Sequence, residues 1–439
     1  MDAALRLTTA LLARLQGKRS FLLSFTQTVT EKEMANSGAL ERVSTHQGSE
    51  IPGRVINLDQ AVARHGDMAD YMVQMLSAGD PLADAVIVEM DALGREARRI
   101  LNVGIADGLK NLTERPPAIT ALLQQLETMP AWVDPDMLGR GEVAALSVSP
   151  LWYELCAIGS ALVHTYASPA IARLLTQTGR LTTIAPRRLA ETGKWAGQAT
   201  MPGGLLRGAP GYQATVQVRL LHARIRSSAL KHGWDTADWG VPISQVDVAR
   251  TWLDFTVTPF RARAVLGIEL TETEQHSLYQ YWHYIAYLLG LEDGFHRDVT
   301  DHDSARELGH LFDLTIGAPD ENSRALTAAM VSAQVELLAS APQPLMSRAE
   351  FSDLIHGILR RTFGDELADQ LGIPVSSATP FLVMIALANS ETRRWQTFTP
   401  KSAAQSLQEN TARRSADHRS PVVPGSPTYL RHVRTGTID

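Results

Sequence analysis

The apolar positions of this chain recur every three or four residues along most of its length. Ile56, Ala61, Val62, Met68, Tyr71, Met72 and Met75 follow that spacing, which is the period of a helix with one buried face. At Asp80-Pro81 the pattern restarts, with Asp80 as an N-cap and Pro81 at the first helical position. Helices are predicted over Leu82–Leu93, Arg95–Gly108 and Ile119–Met129, and Pro130 to Pro135 reads as a rigid connector. Ala144 to Leu175 is apolar on nearly every side, so it belongs at the centre of the fold, broken at Pro169. Further helices are expected over Pro186–Trp195 and Val216–Arg226, separated by a glycine-proline turn through Met201 to Gly211. The pattern continues with Gln245–Phe255, Glu274–Leu291, Arg324–Ala339, Ser347–Arg361 and Phe381–Glu391. Ser304 and Glu307 have capping-box spacing and predict a helix start near Ala305. No segment alternates as a strand does and no repeat period is visible, so the expected class is all-α.

Three segments are expected. Residues 1–54 hold an amphipathic N-terminal helix (Met1 to Gly17) and a polar surface extension. Residues 55–398 form one large helical domain. Residues 399–439 are rich in Pro, Ser, Thr, Gln and Arg; from 400 on they carry six Lys/Arg against three Asp/Glu, and they read as a weakly basic, disordered tail.

Composition narrows the function. With 439 residues, 44% of them hydrophobic, the chain can bury a large core. A net charge of −6 gives no reason to expect nucleic acid. The single cysteine, Cys156, excludes an intrachain disulfide and any cysteine-rich metal site. No apolar run reaches the ~20 residues of a membrane span. The N-terminus lacks the apolar region of a signal peptide, so a cytoplasmic protein is expected.

The chemistry concentrates between Gly179 and Arg226. Val218, Leu221, His222, Ile225 and Ala229 share one helix face. An imidazole there needs a hydrogen bond or a metal, because an unsatisfied buried polar group costs a few kcal/mol. Two readings follow from the spacing: a core histidine bonded to a backbone carbonyl, or an axial ligand to haem iron. Arg219 and Arg226 project to the same side as His222, where they would pair either with haem propionates or with helix-edge Asp/Glu. On the preceding helix Arg188, Glu191, Thr192 and Trp195 share a face. Near an iron such a set would stabilise an oxygen species and move a proton; alone it is an intrahelical Arg–Glu pair beside a threonine. Glu307-x-x-His310 is half of a carboxylate-bridged di-iron pattern, and no second half is found. Metalloprotease, serine-hydrolase, phosphate-loop and dinucleotide motifs are absent.

These residues resemble the latex-clearing protein and rubber oxygenase family, which includes the oxygenase of mycophenolic acid biosynthesis. The resemblance is carried by Thr178-Gly179-Arg180-Leu181, Arg187 to Thr192, Val218 to Arg226, Trp234-Asp235, Trp239 to Asp247 and Tyr281-Trp282-His283. Gly79 to Asp84 and Pro130 to Asp134 extend it upstream. It implies an all-helical fold with a globin-like core and one haem b, with His222 as proximal iron ligand and Arg188 and Thr192 near the distal oxygen site. Some rubber enzymes carry a lysine where this chain has Glu191, and an upstream distal acid; no Asp or Glu lies between Glu154 and Glu191 here.

The expected function is a haem b-dependent oxygenase that uses O₂ on a small, hydrophobic, unsaturated, isoprenoid-like substrate, with oxidative C=C cleavage as the reaction. Arg188 and Thr192 would stabilise charge on oxygen and Glu191 would take an allylic proton. His222 would bind iron, with Arg219 and Arg226 beside the cofactor. The alternatives are a helical haem- or lipid-binding protein without turnover and a non-haem di-iron oxygenase.

Overall fold

The computed structural model describes residues 51–177, 181–340, 344 and 346–419. The expected N-terminal helix lies outside the described residues. Among those described, every regular element is helical, and the all-α class holds. The first helices are α1 (Leu58–His65), α2 (Asp67–Met75), α3 (Pro81–Leu93), α4 (Arg95–Asp107), α5 (Pro117–Glu127) and α6 (Pro135–Leu146). Gly66 splits the run that the periodicity shows as continuous, taking a backbone conformation outside the helical basin. Asp80 caps α3 as expected, accepting from the Ala83 amide with Pro81 at the first position. The Pro130–Pro135 stretch is shorter than a pure connector, because Asp134 and Pro135 repeat the same cap-and-proline device and start α6.

The apolar centre is a rod over residues 150–165, made of α7 (Pro150–Tyr153), a π turn (Glu154–Gly159) and α8 (Ser160–Thr165). It turns by 93° into α9 (Pro169–Thr176). Among the described residues no single helix is long and apolar enough to cross a membrane. Next come α10 (Leu181–Ala199), α11 (Pro210–Lys231), α12 (Thr236–Trp239), α13 (Gln245–Val265) and α14 (Glu272–Leu289). α10 begins earlier than expected and carries Pro186 inside it, and α13 runs through Pro259. The remaining helices are α15 (Asp293–His296), α16 (His302–Thr315), α17 (Glu321–Ala339), α18 (Arg348–Phe363), α19 (Asp365–Gln370), α20 (Thr379–Thr397) and α21 (Pro400–Arg419).

Two expectations need correction. α16 is capped by Asp301, with Ser304 as the reciprocal partner, and not by Ser304 with Glu307. An aspartate carboxylate placed first competes successfully for the same free amides. Residues 400–419 are a helix packed on the body, not a disordered tail. The Asn410 amide donates to the Leu146 carbonyl at 3.0 Å, and both Asn410 and Arg414 are buried. The rest of that segment lies outside the described residues.

The rod packs on α13, α10 on α11 and α17, α11 on α3, and α6 on α14. One buried cluster joins Trp252 of α13, Tyr279 of α14, Phe295 of α15 and Phe312 of α16 to Met72 and Val73 of α2. The Trp252 indole donates to the Trp282 carbonyl at 2.8 Å, so α13 and α14 are tied by a hydrogen bond as well as by apolar area.

Candidate active site between two helices

α10 and α11 run in opposite senses. Trp195, late in α10, donates its indole N–H to Thr215 Oγ1, early in α11, at 3.0 Å. Arg188, earlier in α10, lies within electrostatic reach of His222, later in α11. The structure therefore brings Arg188 and His222 together, although they lie more than thirty residues apart in the chain.

His222 is partly buried. Its Nδ1 is closed off and has no hydrogen-bond partner. Burial, reinforced by the Arg226 and Arg188 guanidiniums and opposed by Asp80, pushes the imidazole down to about 4. The ring is thus neutral near pH 7, which is the state a metal binds. Among the described residues no carbonyl accepts a hydrogen bond from this nitrogen. A buried nitrogen left without a partner costs about 1–3 kcal/mol.

Opposite it, Arg188 is partly buried, and its Nε is also buried without a partner. Tyr166, fully buried at the end of the rod, places its hydroxyl beside Arg188 without a well-formed hydrogen bond. Burial raises the phenol, and the Arg188 charge opposes the rise. Thr192 lies one turn further along α10 and is partly buried. Glu191 is not Arg188's partner: it accepts from Arg187 Nε at 2.8 Å, one turn back along the helix. Trp195 meets the rings of Phe255 and Trp282 edge-on, at 5.9 and 6.2 Å between centroids, so these aromatics form one cluster where α10 meets α13 and α14.

Arg219 and Arg226 are bound to carboxylates. Arg219 donates to Asp80 from Nε at 2.5 Å and from Nη2 at 3.0 Å, and to Gln125 Oε1 from Nη1 at 2.7 Å. Arg226 donates to Asp84 Oδ1 from Nε at 2.9 Å and to the Ile243 carbonyl at 2.6 Å. Arg224 takes Asp91, further along α3. One face of α3 therefore holds α11 by a ladder of ion pairs. Gly79 and Gly290 make room for it. A Cβ on Gly79 would sit 2.7 Å from Arg226 Nε, and one on Gly290 would sit 2.4 Å from Arg219 Nε. Sequence reasoning missed Asp80 and Asp84 as site supports. The available signal was their spacing, which puts both on one face of α3 beside a glycine.

Glu307 and His310 do not converge on a metal. Glu307 pairs with Arg64, and His310 Nδ1 lies 2.9 Å from His65 Nε2. Among the described residues no group of three or more metal-binding side chains occurs. A cavity of about 460 Å³ lies elsewhere, between α17 and α18 beside Val331, Val335, Ser352 and His356, and none of Arg188, Thr192 or His222 borders it.

The residues present fit a haem. The neutral histidine with its unpartnered ring nitrogen, and the unpartnered buried atoms of nearby Arg188 and of Tyr166 beside it, leave a donor and a polar pair for an iron porphyrin to complete. The fold defines an all-α protein in which a buried histidine of α11 and an arginine of α10 lie within electrostatic reach of each other. A family model described as ER-bound oxygenase mpaB/B'/Rubber oxygenase, catalytic domain, matches residues 152–390, just over half of the chain. The chain belongs to that family. It is 24% identical over 283 residues to the rubber oxygenase of Streptomyces sp. (strain K30). That match covers 61% of this chain and 65% of the relative, so it spans less than two thirds of the relative's length. The fold is similar to that of latex clearing protein in the closed state, with a TM-score of 0.58 at 18% identity, covering 78% of this chain and 91% of the other. The matched segment holds Arg188, Glu191, Thr192, Arg219, His222 and Arg226, but Asp80 and Asp84 lie upstream of it.

Proposed function

We propose that this protein is a haem b-dependent oxygenase acting on a small, hydrophobic, unsaturated substrate of isoprenoid type, with oxidative cleavage of a C=C bond as the reaction. The observation that carries the reading is the neutral His222 with an unpartnered ring nitrogen, facing Arg188, in a chain of this family. His222 holds the iron. Haem, when bound, supplies the redox chemistry with dioxygen. Arg188 is free to donate hydrogen bonds toward negative charge developing on oxygen, and a fixed donor in a water-poor site is worth far more than one in water. Thr192 supplies a second donor from the same helix face. Glu191, oriented by its ion pair with Arg187, accepts an allylic proton from the substrate. Phe255, Trp195 and Trp282 offer apolar surface to an unsaturated chain.

Arg219 and Arg226 act through the helix. Held by Asp80 and Asp84, they fix α11, and with it the His222 ring. We assign the protein to the cytoplasm, a reading supported by its single, buried, unpaired Cys156.

The test begins with spectroscopy. Purified protein should show a Soret band and a stoichiometric pyridine haemochrome, and His222→Ala should lose both. Full haem retention in that variant removes His222 from the role. Glu191→Gln should keep haem and lose turnover of unsaturated terpenoids under ¹⁸O₂. Haem binding without any oxygen incorporation would favour a carrier or sensor instead.

A further inference from the structure

The cavity of about 460 Å³ between α17 and α18 plays no part in the function proposed above. The sequence of its walls explains why it exists. On α17, Thr327, Val331 and Val335 recur every four residues, and so do Ala328 and Ser332 beside them, which gives one helix face. On α18, Ala349, Ser352 and His356 share a face in the same way. Four of these residues are alanine or serine, too small to fill the space where the two helices face each other. Ile373 and Pro374 border another side. The volume falls within the range of about 300–1,000 Å³ typical of small-molecule sites.

Two polar side chains of the lining stand apart. Buried threonines elsewhere in the helices bond back to the carbonyl four residues earlier: Thr256 to Trp252 and Thr315 to Leu311 at 2.8 Å, and Thr362 to Ile358 at 2.7 Å. Thr327 is 2% exposed, yet its hydroxyl is buried without any such partner. His356 is half-buried and makes no hydrogen bond among the described residues. Burial lowers its imidazole against the pull of Asp353, so the ring is neutral near pH 7 and offers one donor and one acceptor. The charged residue of the lining, Arg348, is taken by Glu336 through two hydrogen bonds of 2.8 Å. Apolar walls, a neutral imidazole and no uncommitted charge select against an ion. We propose that this cavity is a second binding site, separate from the α10–α11 site, for a neutral and mostly apolar small molecule with one hydroxyl or carbonyl. Its oxygen pairs with His356, and its apolar body lies along Val331 and Val335.

The experiment titrates the full chain with octanol and with octanoate at about pH 8, where the acid is ionised, by calorimetry. Amide hydrogen exchange then locates the bound octanol. Octanol has no C=C bond, so the result does not depend on the proposed oxygenase reaction. Octanol should bind saturably and raise protection in residues 327–335 and 349–356, and octanoate should bind at least about tenfold more weakly. Ser332→Phe and Ala349→Phe place a ring in the cavity from exposed helix positions and should each weaken octanol by about tenfold or more. His356→Phe keeps a ring but removes its nitrogens and should weaken octanol by about fivefold. No saturable binding, added protection confined to other segments, or unchanged affinity in both cavity-filling variants overturns the site. Octanoate binding as tightly as octanol overturns the neutral ligand. Should one phenylalanine variant fail to fold, the other and the exchange map of the wild type decide.

Discussion

Arg219 grips Asp80 through two hydrogen bonds, at 2.5 and 3.0 Å, with both residues buried and 139 positions apart in the chain. Asp80 also caps α3, so one carboxylate serves a helix end and an interhelical pair. Asp80→Ala is expected to destabilise the protein by about 3–5 kcal/mol, because it strands a buried guanidinium as well as removing a cap. The double variant Asp80→Leu/Arg219→Met should lose less than Asp80→Ala alone. Urea unfolding of the three proteins measures both; a loss under about 1 kcal/mol for Asp80→Ala would show that the pair is not holding α11.

Gly290 closes α14 in the left-handed region, with φ at 73°, and backs onto the same pair. A Cβ there would meet Arg219 Nε at 2.4 Å and Asp80 Oδ2 at 2.5 Å. Gly290→Ala is therefore expected to cost more than the ~1–2 kcal/mol of the backbone conformation alone. It should also lower haem occupancy, since it displaces the support of α11. A haem titration of the variant reads this directly.

His296 gives the protein an acid-sensitive element away from the site. It is 2% exposed, and burial, with His283 adding to the effect, pushes it down to about 4. The folded pKa lies below the unfolded value, so the unfolded chain binds more protons once the pH falls beneath about 6.5. Stability is then full above that pH and falls as pH drops toward 4, by about 1.4 kcal/mol per pH unit from this residue. His296→Gln should flatten the decline by that amount. Urea melts at about pH 8, 6 and 5 would show it, and an unchanged slope would mean that His296 stays charged when folded.

The Asn410 side chain ties α21 to the body by donating to the Leu146 carbonyl. Asn410→Ala leaves a buried carbonyl without its donor and should cost about 1–3 kcal/mol. Limited proteolysis should then cut first between α20 and α21. Cleavage there at the wild-type rate would mean that the helix is held by other contacts.

The sequence by itself determined the class, the helices and the residues worth asking about. Helices form from hydrogen bonds between residues four apart and bury faces with a 3.6-residue period, so both leave a mark within a short window. Asp80-Pro81 marked a helix start for the same local reason, and His222 and Arg188 stood out because polar groups sat on apolar faces. The 400–419 segment was misread because its polar composition resembles a disordered tail, and the few residues that dock it, Asn410 and Arg414, find their partners only in the fold. Only the tertiary structure decided which charges are spent. It set Arg219 on Asp80, Arg226 on Asp84 and Glu191 on Arg187, and among the described residues it gave Arg188 no carboxylate partner. Opposite charges attract at any sequence separation, so the pairing of ions across 139 residues is fixed by how helices pack and not by any pattern along the chain.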